Sequence, residues 1–186
     1  MVVTRANHSG RTRWPHQLGA DAGFQPDGER VAAWSMNQLY LFDNNGKAIY
    51  NDSLSSQVQF ARVGGKYVAA FVGSSDNGTV QVLGRDGLNV DNVPVEGETL
   101  LDIGFFTSDL NDVMWVMGLD TNGTVPTIKM QTFLPGTRLV GSASMGERVV
   151  YRVYFHGGRL HVVDTWQIRM FDYKLKEDTV LDPVLI

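Results

Sequence analysis

The chain has 186 residues, 43% of them hydrophobic and 19% charged, with 20 glycines and a net charge of −4. Those totals fit a soluble, turn-rich globular protein with a real core, and they argue against a nucleic-acid partner, whose phosphates would be held by clustered Lys and Arg. There is no cysteine, which removes disulfides, thiolate catalysis and Cys-ligated metals at once.

Residues 1–13 are polar and aperiodic, with Arg5, Arg11 and Arg13 among Asn, Ser and Gly, and predict a flexible arm. The opening Met1–Ala6 has no charged segment leading into an apolar one, so no signal peptide is read there. From residue 14 to residue 186 the pattern predicts a single domain of four units. In the first, residues 14–55, Pro26-Asp27-Gly28 is a turn and Val31-Ala32-Ala33-Trp34 an apolar strand. Ser35-Met36-Asn37 is a tight connection, Leu39 and Leu41 form an alternating strand, and Asp43-Asn44-Asn45-Gly46-Lys47 closes it.

The second unit, residues 56–97, has alternation over Val58–Val63, a turn at Gly64-Gly65 and a continuous apolar run over Tyr67–Val72. Turns follow at Asp76-Asn77-Gly78 and Arg85-Asp86-Gly87, with Val80 and Val82 alternating between them. A strand apolar on both sides must have both faces covered. In the third unit, residues 98–143, the strands Leu101–Phe106 and Val113–Met117 flank Leu110-Asn111-Asp112, and Asp120-Thr121-Asn122-Gly123 and Pro135-Gly136 supply later turns. The fourth, residues 144–186, runs through Val149–Phe155, Gly157-Gly158, Leu160–Val163, Asp164-Thr165-Trp166 and the strand at Gln167. It ends on the apolar stretch Val180–Ile186, which suggests continuation into a larger protein.

Gln38-Leu39-Tyr40-Leu41-Phe42-Asp43 returns almost letter for letter as Gln167-Ile168-Arg169-Met170-Phe171-Asp172. Weaker copies begin at Thr79 and Thr127, so the unit recurs about every 43 residues, the length of a four-stranded propeller blade. No segment has helical periodicity and none approaches about 18 consecutive apolar residues. The expected fold class is therefore all-β and propeller-type, four repeats of a four-stranded antiparallel sheet, as a partial or four-bladed ring, with no direct membrane insertion by this chain.

Leu39-Tyr40-Leu41-Phe42-Asp43-Asn44-Asn45-Gly46-Lys47 resembles the repeat of quinoprotein-like (PQQ-type) propellers, in which a Trp after the Gly-Lys turn docks on the next blade. Tyr50 stands where that Trp would be, and no cofactor is expected. Val113–Pro126 followed by Val162–Ile168 resembles an uncharacterised bacterial propeller family of the DUF5711 type. That resemblance implies an extracytoplasmic propeller, longer than this chain and anchored by a segment absent here; a cytoplasmic location is left open. It implies no chemistry.

The connections Ser35-Met36-Asn37, Ser75–Thr79, Asp120–Thr124 and Asp164-Thr165-Trp166 are equivalent in the four units and would share a rim, where propellers usually bind because loops carry variable polar groups on a rigid scaffold. Asp76, Asn77, Asp120, Asn122, Asp164 and Trp166 are the rim candidates. A two-residue loop at Gly157-Gly158 would pair His156 with Arg159 and Tyr154 with His161, gathering Arg152, Tyr154, His156, Arg159 and His161 on one face. Two His beside two Arg, with no carboxylate on that face, make a poor metal site and a possible anion or sugar patch. The expected function is a non-enzymatic binding or scaffold module for a protein or glycan, self-associating or joined to a missing half. The alternative is a glycan lyase or hydrolase using Asp76, Asp120 and Asp164.

Overall fold

The computed structural model describes residues 2–6, 9, 12–19, 21–108 and 110–181. Among them every regular element is a strand. A hairpin of β1 (Val2–Ala6) and β2 (Thr12–Gln17) is followed by sheet I, made of β3 (Gly23–Pro26), β4 (Arg30–Ser35), β5 (Gln38–Asp43) and β6 (Ala48–Ser53). Sheet II contains β7 (Val58–Gly64), β8 (Tyr67–Gly73), β9 (Asn77–Leu83) and β10 (Asn89–Glu96). Sheet III contains β11 (Glu98–Ser108), β12 (Asn111–Asp120), β13 (Thr127–Leu134) and β14 (Arg138–Gly146). Sheet IV contains β15 (Val150–His156), β16 (Arg159–Asp164), β17 (Ile168–Phe171) and β18 (Glu177–Leu181). Each of these four sheets is an up-and-down antiparallel meander in chain order, so the four-repeat architecture expected from the pattern is present. The four copies of the repeated hexapeptide are the third strands β5, β9, β13 and β17. Residues 182–186, the rest of the expected terminal strand, lie outside the described residues.

The chain forms two compact units, residues 1–95 and residues 96–186. In the first, sheets I and II pack face to face through Ala32, Trp34, Leu39 and Leu41 on one side and Val58, Ala61, Val68, Ala70 and Val72 on the other. In the second, Val113, Trp115, Met117 and Met130 of sheet III meet Leu160, Val162 and Phe171 of sheet IV. The expected flexible arm is, where described, paired strand: β1 pairs with β2 over Val2–Ala6 and Thr12–Gln17. The reason is burial. Val3 and Leu18 cover Val31, Ala33 and Phe42 on the face of sheet I turned away from sheet II, and the His16 ring lies 4.6 Å from that of Phe42. Residues 1, 7, 8, 10 and 11 of the expected arm lie outside the described residues.

Two details reveal why these sequences fit this packing. Trp34 sits across from Gly23 and Trp115 across from Gly104, and a Cβ on either glycine would fall 2.3–2.4 Å from the indole. The glycine is the space into which the tryptophan lies. Tyr50, at the position of the docking Trp in quinoprotein-like repeats, leaves β6 and lays its ring on Gly87 in the turn of sheet II, where a Cβ would come within 2.0 Å of Cδ2. The Tyr thus makes the sheet-to-sheet contact, and its burial, with Asp52 nearby, raises its hydroxyl above the ordinary tyrosine value.

Gly23→Ala and Gly104→Ala should each destabilise the protein by about 1–3 kcal/mol in urea unfolding, because the added methyl must displace an indole. Gly123→Ala, whose Cβ meets nothing closer than 3.5 Å, should stay within about 0.5 kcal/mol of the parent.

Candidate functional site

An antiparallel meander places the second-to-third-strand turn at the same end of the sheet as the connection leaving the fourth strand. In the first unit hydrogen bonds stitch these together: Leu54 N–H donates to Asn37 O (2.8 Å), Val58 N–H to Met36 O (2.7 Å) and Gly73 N–H to Gln57 O (3.0 Å). Asp76 and Asn77 stand exposed at this end. The Asn77 carbonyl accepts from Ser74 N–H at 3.3 Å and from Ser74 Oγ at 3.1 Å, which closes the turn.

The sequence candidates pass over a hollow at this end, of about 350 Å³ and lined by Gly19, Asp21, Ser35, Met36, Asn37 and Gln57. Met36 and Asn37 form a two-residue loop between the paired Ser35 and Gln38. Met36 has φ +54° and Asn37 is not left-handed. That is the loop position at which hairpins use glycine, yet Met36 is there and 70% exposed. Asp21, with φ +50°, is exposed too. The available signal was a Met inside a two-residue turn, where Gly, Asn or Asp is the rule.

In the second unit two of the expected rim carboxylates are engaged. Asp164 has a fully inaccessible side chain. Its Oδ1 accepts from Trp166 N–H (2.8 Å) and Gln167 N–H (2.9 Å), and its Oδ2 lies 3.5 Å from Arg148 and 3.4 Å from Arg169. Burial pushes this carboxyl upward, but the two N–H groups and the charges of Arg169 and Arg148 outweigh it and hold it below the ordinary value. Asp120 pairs with Lys129 at 2.6 Å and accepts from Asn122 N–H at 2.9 Å. The Lys129 bond and then the Asn122 bond lower the Asp120 carboxyl, while Asp120 and Glu98 raise the Lys129 ammonium. Asn122 donates from Nδ2 to Gly97 O at 2.6 Å, tying the turn to the start of β11. Trp166, whose backbone N–H holds Asp164, is itself 70% exposed.

On sheet IV the register is Tyr154↔His161, Phe155↔Leu160 and His156↔Arg159. Phe155, Leu160 and Val162 turn into the core. Arg152, Tyr154, His156 and Arg159 are exposed, but His161 is 9% exposed. Its ring stacks on Tyr154 with centroids 4.8 Å apart, and its Nε2 is 3.2 Å from His156 O. Arg159 is paired with Asp178, which corrects the expectation that no carboxylate shares this face: β18 brings one, from a strand whose pairing the sequence pattern did not resolve. Among the described residues no group of three or more His, Cys, Asp or Glu is arranged to hold a metal ion.

No protein-family model matches the chain, and no curated protein matches it. Solved structures do. The WD40 domain of Toxoplasma gondii coronin is 11% identical with a TM-score of 0.60, matched over 87% of this chain and 45% of that one. BamB from Moraxella catarrhalis is 16% identical with a TM-score of 0.58, over 96% and 55%. Saccharomyces cerevisiae Sqt1 is 12% identical with a TM-score of 0.65, over 96% and 54%. The fold is that of a β-propeller, and the chain spans about half the length of the structures it matches.

Asp164→Ala should cost about 3 kcal/mol, since it strands two N–H groups and leaves Arg169 buried without its counter-charge. The sign of the pH effect follows from the lowered carboxyl: its contribution is complete above the unfolded value of about 3.9 and is lost as pH falls through the lower folded value. Wild-type stability, followed by urea unfolding from pH 5 downward, should fall more steeply than that of Asp164→Ala.

Proposed function

We propose that the chain is a non-enzymatic binding module that recognises a protein surface through the end of each unit carrying the second-to-third-strand turns. The observation that carries this reading is Met36, 70% exposed, on the edge of a hollow and held at φ +54° where glycine is the unstrained choice. A side chain at such a backbone angle costs roughly 1–2 kcal/mol, and one this exposed returns little of that through packing. What it offers is a soft apolar contact to something outside the chain. Trp166, 70% exposed on the corresponding turn of sheet IV, offers another; Trp and Met are enriched where proteins meet. The engagement of Asp120 and Asp164 in structural bonds weighs against the glycan lyase or hydrolase alternative.

The DUF5711-type resemblance extends this reading to a module held outside a membrane by a segment beyond these residues. The match to about half of each compared propeller extends it to a ring completed by further chain or by a second copy. Protease added to intact cells should digest the full-length protein; complete protection would sink the extracytoplasmic placement.

The binding role is tested by panning the chain against a displayed random-peptide library beside a glycan array. Peptides should be enriched on the wild type. Trp166→Ala or Met36→Gly should weaken the peptides that use each turn roughly tenfold, and Met36→Gly should gain about 1 kcal/mol of stability as the strain is released. Glycan capture or glycan product release, with no peptide enriched, would overturn the reading.

A further inference from the structure

We propose that the hollow beside Met36 is a seat for a lysine or arginine side chain presented by an extended segment of a partner protein. The inference rests on the binding-module reading above and names the chemistry of one of its contacts. Six residues line the hollow: Gly19, Asp21, Ser35, Met36, Asn37 and Gln57. None is cationic. Asp21 is exposed, and its carboxylate makes no hydrogen bond or ion pair among the described residues. Asn37 spends one amide N–H on Leu54 O at 3.3 Å, and its side-chain oxygen takes no part in that bond. The Gln57 side chain is also exposed and unspent, its bond to Gly73 being made by the backbone carbonyl.

The groups left over include one full negative charge, on Asp21, and two amide oxygens, beside one flexible thioether chain. A lysine ammonium brings three donors and an arginine guanidinium five, with no acceptor in either. Both carry an aliphatic stem that would lie along Met36 while the head reaches Asp21.

A free cation would gain little here, because one exposed carboxylate gives a pair worth only a fraction of a kcal/mol up to about 1 kcal/mol. Useful affinity needs flanking contacts, which a peptide segment supplies along the stitched turn and connection. The net charge of −4 favours approach of a basic partner.

The test uses the whole chain with methyl-labelled methionine and three blocked tripeptides, acetyl-Ala-Xaa-Ala-amide with Arg, Leu or Glu at the centre. The Met36 methyl resonance, assigned with Met36→Leu, should move with the Arg peptide, barely with Leu and not with Glu, and the movement should shrink as salt is raised. Asp21→Asn should weaken the Arg peptide about fivefold, and Asp21→Lys should abolish its effect. A Met36 methyl that ignores the Arg peptide, or answers Leu and Glu equally, overturns the proposal. If library peptides are still enriched in that case, the module reading survives and only the cation seat falls. An Arg response with no library peptide enriched would instead sink the module reading and leave a cation site without a protein ligand.

Discussion

The structure depends on one requirement: a sheet whose second strand carries an unbroken apolar run must be covered on both faces. In β4 every residue is buried, in β8 all but the two ends, and in β12 the run Val113–Met117. Such strands cannot face water on either side without losing about 25 cal/mol for each Å² of apolar surface exposed. Sheets I and II answer this by packing together within the first unit, sheets III and IV by packing within the second. The β1–β2 hairpin supplies the remaining cover for sheet I through Val3 and Leu18. Fine fit then fixes the spacing, with a glycine opposite each of Trp34 and Trp115 admitting an indole that no other residue would leave room for.

Covering both faces pushes the polar residues to the sheet ends, where backbone groups at the turns need partners. Most of the acidic residues there are consumed by that need. Asp43 accepts from Asn45 and Lys47, Asp172 from Lys174 and Lys176, and Asp164 from Trp166 and Gln167. A carboxylate at a turn of this fold is therefore first a piece of turn chemistry, and what stays available for recognition is whatever the turns do not use. Asp21, Asp76 and the exposed Met36 and Trp166 belong to that remainder.

This explains what could be read from the sequence. The repeat of Gln38–Asp43 at Gln167–Asp172 marked the third strand of two sheets, because the same strand with the same Asp-closed turn recurs in the same place. Alternation, apolar runs and Gly-containing turns located the inner strands of the four sheets but marked no residues for β3, β10 or β14, the last two largely exposed outer strands, and a two-residue loop at Gly157-Gly158 was enough to set the register of β15 on β16. The hairpin at the start of the chain was not legible: its few apolar residues have no periodicity of their own and act only against a sheet whose face lies elsewhere in the sequence. Nor was the engagement of Asp120 and Asp164, because Lys129, Arg148 and Arg169 reach them through tertiary pairing that spacing does not encode. Asp178 escaped notice on the sheet IV face for the same reason.

Left-handed residues at the turns differ in whether side-chain burial offsets their backbone cost. Gly46 occupies the third position after Asp43 with φ +78°, and Leu175 occupies the third position after Asp172 with φ +57°. Leu175 is strained where Gly46 is not, but it is 5% exposed and packs into the core of the second unit. Burying a leucine contributes roughly 1.5–3 kcal/mol, which offsets a backbone penalty of about 1–2 kcal/mol. The same comparison fails for Met36. Its penalty is of the same size and its side chain lies in water, so side-chain burial does not offset it. Leu110, at φ +67° and 95% exposed, shares that exposure and strain, so strain alone does not mark a site; what distinguishes Met36 is the hollow beside it, with Asp21 on its lining, where the proposed partner contact would form.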